Sequence, residues 1–250
     1  MSFLIGLAAG VFGGLVGVGG GAVMIPMMVR WMKLSQHKAH GTSLVALVFT
    51  GMVGAAAYAC SYHVDVWASM ILAAAALWPA RLGARCCRLL PEESLRRLFG
   101  FFLITMVGLI LIKSFLLPLS VPAAVWYRVV ILLVTGVCTG FLSGLMGIGG
   151  GPIMIAAMVL LAGYGQHVAQ GSALLAMVPA GAVGAYTHWR FMNIEISLLK
   201  GLIPGIVLGT LLGSSVAQYL PDEVLKIVFV AILLWMGVRL IVKKTPSVCE

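Results

Sequence analysis

The sequence predicts an all-α, polytopic membrane protein made of two repeats of opposite orientation, and three observations carry that prediction. Of 250 residues, 62% are hydrophobic and 9% charged, with a mean hydropathy of +1.11. Soluble chains are roughly 25% charged, so apart from short polar joints nothing here can form a water-facing surface. The apolar residues fall into eight nearly charge-free segments, about 3 to 32, 41 to 62, 64 to 90, 95 to 117, 126 to 165, 168 to 189, 194 to 220 and 224 to 242. Finally, the second half of the chain repeats the first without a gap. Such a composition excludes a soluble enzyme, a nucleic-acid binder and a secreted disulfide scaffold. The net charge of +9, from 16 Lys and Arg against 7 acids, is the cation excess of cytoplasmic loops.

Six of the segments have the roughly 20-residue length of one spanning helix. The first and fifth are too long, and each is interrupted by a glycine cluster, Gly17-Val18-Gly19-Gly20-Gly21 and Gly147-Ile148-Gly149-Gly150-Gly151. Glycine in a helix interior costs about 1 kcal/mol relative to alanine, so a run of them predicts a break. The N-terminal Met1-Ser2-Phe3-Leu4-Ile5 is apolar at once, with no basic region before it, and reads as retained rather than cleaved. Cys60, Cys86, Cys87, Cys138 and Cys249 form neither a CxxC pair nor a zinc spacing.

When the chain is slid against itself, Gly14-Leu15 falls on Gly144-Leu145, Met24-Ile25 on Met154-Ile155 and Gln36-His37 on Gln166-His167; over residues 14 to 55, 21 of 42 positions are identical. The expected plan is a first repeat over 1–120 and a second over 126–246, each a broken hairpin plus three spanning helices, together one transmembrane domain. Duplications of this length are characteristic of transporters and not of solenoids. Charge decides their orientation. If each broken segment enters and leaves on one face, Arg30, Lys33, Lys38, Arg81, Arg85, Arg88, Arg96, Arg97, Arg190, Lys200, Arg239, Lys243 and Lys244 share a side, leaving Lys113, Arg128 and Lys226 opposite. If instead it counts as one crossing, the split is nearly even. The first arrangement is inverted, with both termini cytoplasmic and the broken segments full or re-entrant hairpins.

Non-helical backbone at membrane depth survives only where it is buried in protein or lines a cavity, which makes the breaks the first candidates for a site. A helix restarting at Gly20 or Gly150 presents unpaired amides and the positive end of its dipole, an environment suited to an anion. The predicted cradle is Gly19, Gly20 and Gly21 with Gly149, Gly150 and Gly151. Thr42, Ser43 and Ser172, at helix starts, either cap those helices or donate a hydroxyl to a bound oxyanion. His37, His167 and Gln170 stand beside them. Spaced glycines at 6, 10 and 14, and at 136, 140 and 144, read as helix-packing faces. Asp65, Glu92, Glu93, Glu195, Asp222, Glu223 and Glu250 all lie at segment ends or in joints, so no helix-central carboxylate is present as a cation ligand. The segments offer no nucleophile with a base, and no catalytic, metal or cofactor site is expected.

The duplicated Gly-x-Gly-Gly-Gly breaks, each followed near the start of the next apolar segment by Gly41-Thr42-Ser43 or Gly171-Ser172-Ala173, together with Gly83-Ala84-Arg85 and the Pro91 and Pro221 joints, resemble the sulfite exporter TauE/SafE family of bacterial membrane permeases along nearly the whole chain. Two departures are Ala156 opposite Pro26 and Ala173 opposite Ser43. The resemblance implies a multi-pass transporter of the inner membrane for small sulfur-containing anions: sulfite, sulfoacetate or other organosulfonates, and thiosulfate. Alternating access between the halves is then the expected mechanism. A passive anion channel and an accessory membrane subunit are the alternatives. A co-transported proton or sodium ion and a homodimer are compatible with the same sequence.

Overall fold

The computed structural model describes residues 1–86, 125–146 and 149–242, with residues 100, 101, 104, 105, 107 and 108 of the stretch between. Among the described residues every regular element is a helix: α1 (Ser2–Val16), α2 (Gly21–Met32), α3 (Gln36–Cys60), α4 (Val66–Cys86), α5 (Val125–Met146), α6 (Gly151–Leu160), α7 (Gln166–Arg190), α8 (Ile196–Tyr219) and α9 (Asp222–Val242). The all-helical, polytopic fold class is as expected. The helix starts at Gly21, Gln36 and Val66 recur with the same intervals at Gly151, Gln166 and Ile196.

Both long segments are broken at their glycines. Gly17, Gly19 and Gly20 have φ of 75°, 81° and 73°, while Gly149 and Gly150 have 91° and 68°. Residues with a Cβ resist this left-handed region by roughly 1–2 kcal/mol, so the run of glycines permits one helix to stop and another to start within a few residues. The arms are unequal, 15 and 12 residues around the first break and 22 and 10 around the second. Among the described residues, five helices, α3, α4, α5, α7 and α8, are long and apolar enough to cross a membrane. The leading arm of the second break is therefore of spanning length by itself. Most of the segment expected over 95–117, the joint at Pro91 and Glu92, and Gly147 and Ile148 lie outside the described residues.

Packing between the halves is by backbone. Gly6, Gly10 and Gly14 of α1 abut Leu202, Ile206 and Thr210 of α8 in ascending order, so these helices run parallel; a Cβ on Gly10 would stand 2.6 Å from the Ile206 carbonyl oxygen. Gly205, Gly209 and Gly213 return the contact against Phe3, Leu7 and Val11. Gly136, Gly140 and Gly144 of α5 lie in the same way on Leu72, Ala76 and Ala80 of α4. It is one contact made twice with the halves exchanged, and small residues let the backbones approach so closely. The corresponding helices α3 and α7 meet antiparallel, with Gly41 against His188 and Asn193, Gly51 against Leu174 and Val178, and Gly171 against Tyr58 and His63.

These directions sort the charges. The end that holds the start of α3 also holds the start of α8, the ends of α2, α4 and α7, and with them Arg30, Lys33, Lys38, Arg81, Arg85, Arg190 and Lys200. The opposite end holds Arg128 and Lys226.

Candidate functional site

The two breaks come together at half the depth of the bundle. Leu47 and Met177, each the twelfth residue of a 25-residue helix, are fully buried and occupy the space around them. A Cβ on Gly19 would lie 3.0 Å from Leu47 Cγ and 3.2 Å from Met177 Sδ; one on Gly149 would meet Leu47 Cδ1, and one on Gly151 would meet Met177 Cε. The Gly151 position is also 3.0 Å from the Gly17 carbonyl oxygen and 3.1 Å from Val18 Cα. One break thus touches the other, although they belong to different repeats.

Gly17 to Gly21 and Gly149 to Gly151 are buried. The first bonds of α2 are donated by Val23 and Met24 to the Gly20 carbonyl, at 3.1 and 3.0 Å, and those of α6 by Ile153 and Met154 to the Gly150 carbonyl, both at 3.1 Å. Among the described residues no acceptor takes the amide hydrogens of Gly19, Gly20, Gly21, Gly149, Gly150 or Gly151. More than 90% of buried backbone polar groups are paired, and each one that is not costs about 1–3 kcal/mol. Of these glycines, Gly19, Gly149 and Gly151 lie against Leu47 and Met177, whereas a Cβ on Gly20 or Gly150 would face Ala9 or Thr139.

Gln170 adds a side chain to this place. Its Cβ and Cγ both lie 2.9 Å from where a Gly17 Cβ would be. Tyr58 Oη is 2.7 Å from Gln170 Oε1 and 3.2 Å from the Gly14 carbonyl oxygen. A hydroxyl has one hydrogen to donate, and the shorter bond, to Oε1, turns the amino end of the carboxamide outward. That Nε2 is buried without a partner among the described residues.

The other candidates lie elsewhere. Thr42 Oγ1 accepts from the Glu195 amide at 3.0 Å, and Ser172 Oγ from the Asp65 amide at 2.8 Å. These are equivalent contacts with the halves exchanged, each tying the second turn of α3 or α7 to the joint that starts α8 or α4. Ser43 Oγ donates to the His40 carbonyl at 2.8 Å. His37 is exposed on the first turn of α3. His167 is buried at the opposite end, its Nδ1 against the Asp222 carboxylate and its Nε2 3.1 Å from the Ala217 carbonyl oxygen. At that end Tyr164 Oη also donates to Asp65 Oδ2 at 3.0 Å, and burial together with the Asp65 charge pushes the phenol up to about 12.

At the cation-rich end, Lys38 Nζ donates to Glu195 Oε2 and Ser197 Oγ to Glu195 Oε1, both at 2.9 Å. The Lys38 hydrogen bond, before that of Ser197, holds the Glu195 carboxyl below its usual range. A carboxyl depressed in the folded state stabilises above its unfolded value, near about 4.3, and that stabilisation is lost as pH falls through the folded value. Lys38→Met is therefore expected to lower the melting temperature at neutral pH, with the difference from wild type closing in acid. A difference that persists at acid pH would mean that Lys38 contributes by packing.

Tyr58, Leu47, Met177 and His188 did not emerge from the sequence motifs. Tyr58 and His188 are 0% and 2% exposed and occupy equivalent positions of the repeat. The signal was available, since superposing the halves aligns two polar side chains inside apolar segments, where polar groups are costly unless used.

Among the described residues, five helices of spanning length and two glycine breaks that meet at mid-depth define a polytopic membrane protein. Residues 2–240 match the family described as Sulfite exporter TauE/SafE, and the chain belongs to that family of membrane transporters. Curated relatives agree along nearly their full lengths. The probable membrane transporter protein YunE of Bacillus subtilis is 27% identical over 96% of this chain and 98% of its own. A probable membrane transporter protein of Xylella fastidiosa is 28% identical over 93% and 91%, and MJ0441 of Methanocaldococcus jannaschii, also a probable membrane transporter protein, is 27% identical over 94% and 92%. No solved structure matches the chain.

Proposed function

We propose that this protein carries a small sulfur-containing anion, such as sulfite, sulfoacetate or another organosulfonate, or thiosulfate, by alternating access between two halves. The anion lies between the breaks, on the amides of Gly19 to Gly21 and Gly149 to Gly151, with the Gln170 carboxamide as an additional donor. The observation that carries this is the meeting of two buried, acceptor-less helix starts beside an unpaired buried amide. Partial charges at two such starts favour an anion without fixing a full countercharge, which keeps binding reversible. The oxygens of a sulfonate or sulfite accept several N–H bonds at once.

The two repeats, 1–120 and 126–246, lie in opposite senses in the inner membrane of a bacterium, with both termini cytoplasmic. Antiparallel α3 and α7 and the gathering of cations at one end support this. Close packing of Leu47 and Met177 over the breaks favours a carrier over an open pore.

A ligand that binds only the folded state raises the melting temperature. The purified protein in detergent is expected to melt higher with sulfite, thiosulfate, sulfoacetate or taurine than with phosphate or chloride. Equal melting temperatures with every anion at millimolar concentration would sink the anion site, and a shift with phosphate or chloride alone would reassign the substrate.

A further inference from the structure

We propose that His167 and Asp222 form the binding site of a proton that travels with the anion. The inference rests on the transport function proposed above and supplies the charge that a cycle must gain and lose.

Chemistry narrows the choice. The described acids, Asp65, Glu195, Asp222 and Glu223, all stand at helix ends. Asp65 is engaged, its Oδ1 capping α4 through the Ala68 amide at 3.0 Å and its Oδ2 accepting from Tyr164. Glu195 pairs with Lys38, whose hydrogen bond holds the carboxyl below its usual range. Histidine is the side chain that ordinarily changes charge there.

Geometry then selects the protonated ring. His167 Nδ1 faces the Asp222 carboxylate, and Nε2 lies 3.1 Å from the Ala217 carbonyl oxygen. A neutral imidazole donates from one nitrogen only, which would leave a lone pair against an oxygen. An imidazolium satisfies both acceptors. Asp222 Oδ1 also lies 3.4 Å from the His167 amide, so the carboxylate holds the ring and the start of α7 together.

The charged groups around the ring are few. The joint between α3 and α4 brings His63, stacked on His167 with centroids 4.8 Å apart. From α9 come Asp222, the adjacent Glu223, and Lys226 one turn further on. The end of α8 offers the Ala217 carbonyl and the neutral Gln218. Burial first, and then the charge of His167, keep His63 below the usual histidine range. The Asp222 side chain is 54% exposed and that of His167 11%, a route from water to the ring.

Position links the proton to the cargo. His167 precedes Gln170 by nearly one helical turn, a rise of about 4.5 Å, and Gln170 reaches the break. A cation at His167 attracts an anion at the break, and by reciprocity a bound anion holds the proton.

The test uses the full chain in proteoliposomes, with labelled thiosulfate and labelled sulfoacetate as probes. Both are fully ionised around neutrality, so any pH dependence belongs to the protein. Uphill accumulation under an inward proton gradient, with the membrane potential clamped, is compared with exchange of label at equal pH. Wild type is expected to accumulate label and to lose it with a protonophore. In His167→Gln and Asp222→Asn the ratio of accumulation to exchange is expected to fall about tenfold, the scale of ordinary coupling between two sites. Anion affinity measured on wild type in detergent should tighten as pH falls through the histidine range. Accumulation that ignores the gradient, unchanged ratios in both variants, or an affinity flat with pH overturns the proton site. Absence of exchange by wild type with either probe strikes instead at the transport function on which it rests.

Discussion

Gln170→Glu is expected to abolish anion binding, with no anion-induced rise in melting temperature at concentrations that saturate wild type. The substitution keeps the length of the side chain and puts a carboxylate where a neutral donor stands beside Gly17. Like charge at contact in a buried site opposes the guest directly, and the lost donor bond adds to it. Gln170→Met separates the two effects. It keeps the volume and removes the donor together with the oxygen that accepts from Tyr58; a hydrogen bond to a charged group is worth about 1.5–3 kcal/mol, so affinity should fall about ten- to a hundredfold. Tyr58→Phe leaves the carboxamide but removes the 2.7 Å bond that orients it, and a smaller loss is expected. Isothermal titration with the anion that stabilises wild type measures all three. If Gln170→Glu binds as wild type does, the carboxamide lies outside the site; if Gln170→Met alone is silent, charge and not donation is what the position controls.

How far this could be read from sequence follows from the kind of constraint each residue meets. The breaks were legible because a left-handed backbone needs glycine locally, at Gly20 and Gly150 as at Gly17. Gly10 and Gly140 announced packing by their spacing, and the chain pattern that sets α3 and α7 in register was visible as identities between the two halves. Thr42 and Ser172 show the limit. Each follows a polar joint in the apolar pattern, which made capping or substrate contact equally good readings, yet α3 and α7 start six residues earlier and each hydroxyl accepts from the last amide of a joint 153 or 107 residues away. Only the antiparallel crossing of α3 and α7 decides that pairing, and a crossing is a tertiary property. His167 and Asp222, 55 residues apart, are joined for the same reason. Tyr58 and Gln170, 112 residues apart, likewise meet only through tertiary packing. The unequal arms around the two breaks were hidden because hydropathy sees one apolar stretch, 126 to 165, and not where α5 stops.

Gly10→Leu is expected to prevent α1 from docking on α8, and Gly140→Leu to do the same to α5 on α4. In both places the obstacle is backbone. A Cβ at Gly10 would meet the Ile206 carbonyl oxygen at 2.6 Å and the Thr210 amide nitrogen at 2.9 Å, and one at Gly140 would meet Ala76 Cα at 2.6 Å. Overpacking a core commonly costs about 1–3 kcal/mol when side chains can shift; here a helix must move, so the loss should reach or exceed about 3 kcal/mol. Monodisperse elution from a sizing column and the melting temperature of what elutes measure it. Gly108→Leu is the control, since a Cβ there has nothing among the described residues within 4 Å. Trimming the neighbour distinguishes backbone from side chain as the cause: Ile206→Ala frees no space at its own carbonyl and should not rescue Gly10→Leu. Rescue would mean that the helices are held apart by the Ile206 side chain. Because α1 and α8 belong to different repeats, as do α5 and α4, either substitution separates the halves at the contacts on which the meeting of the two breaks depends.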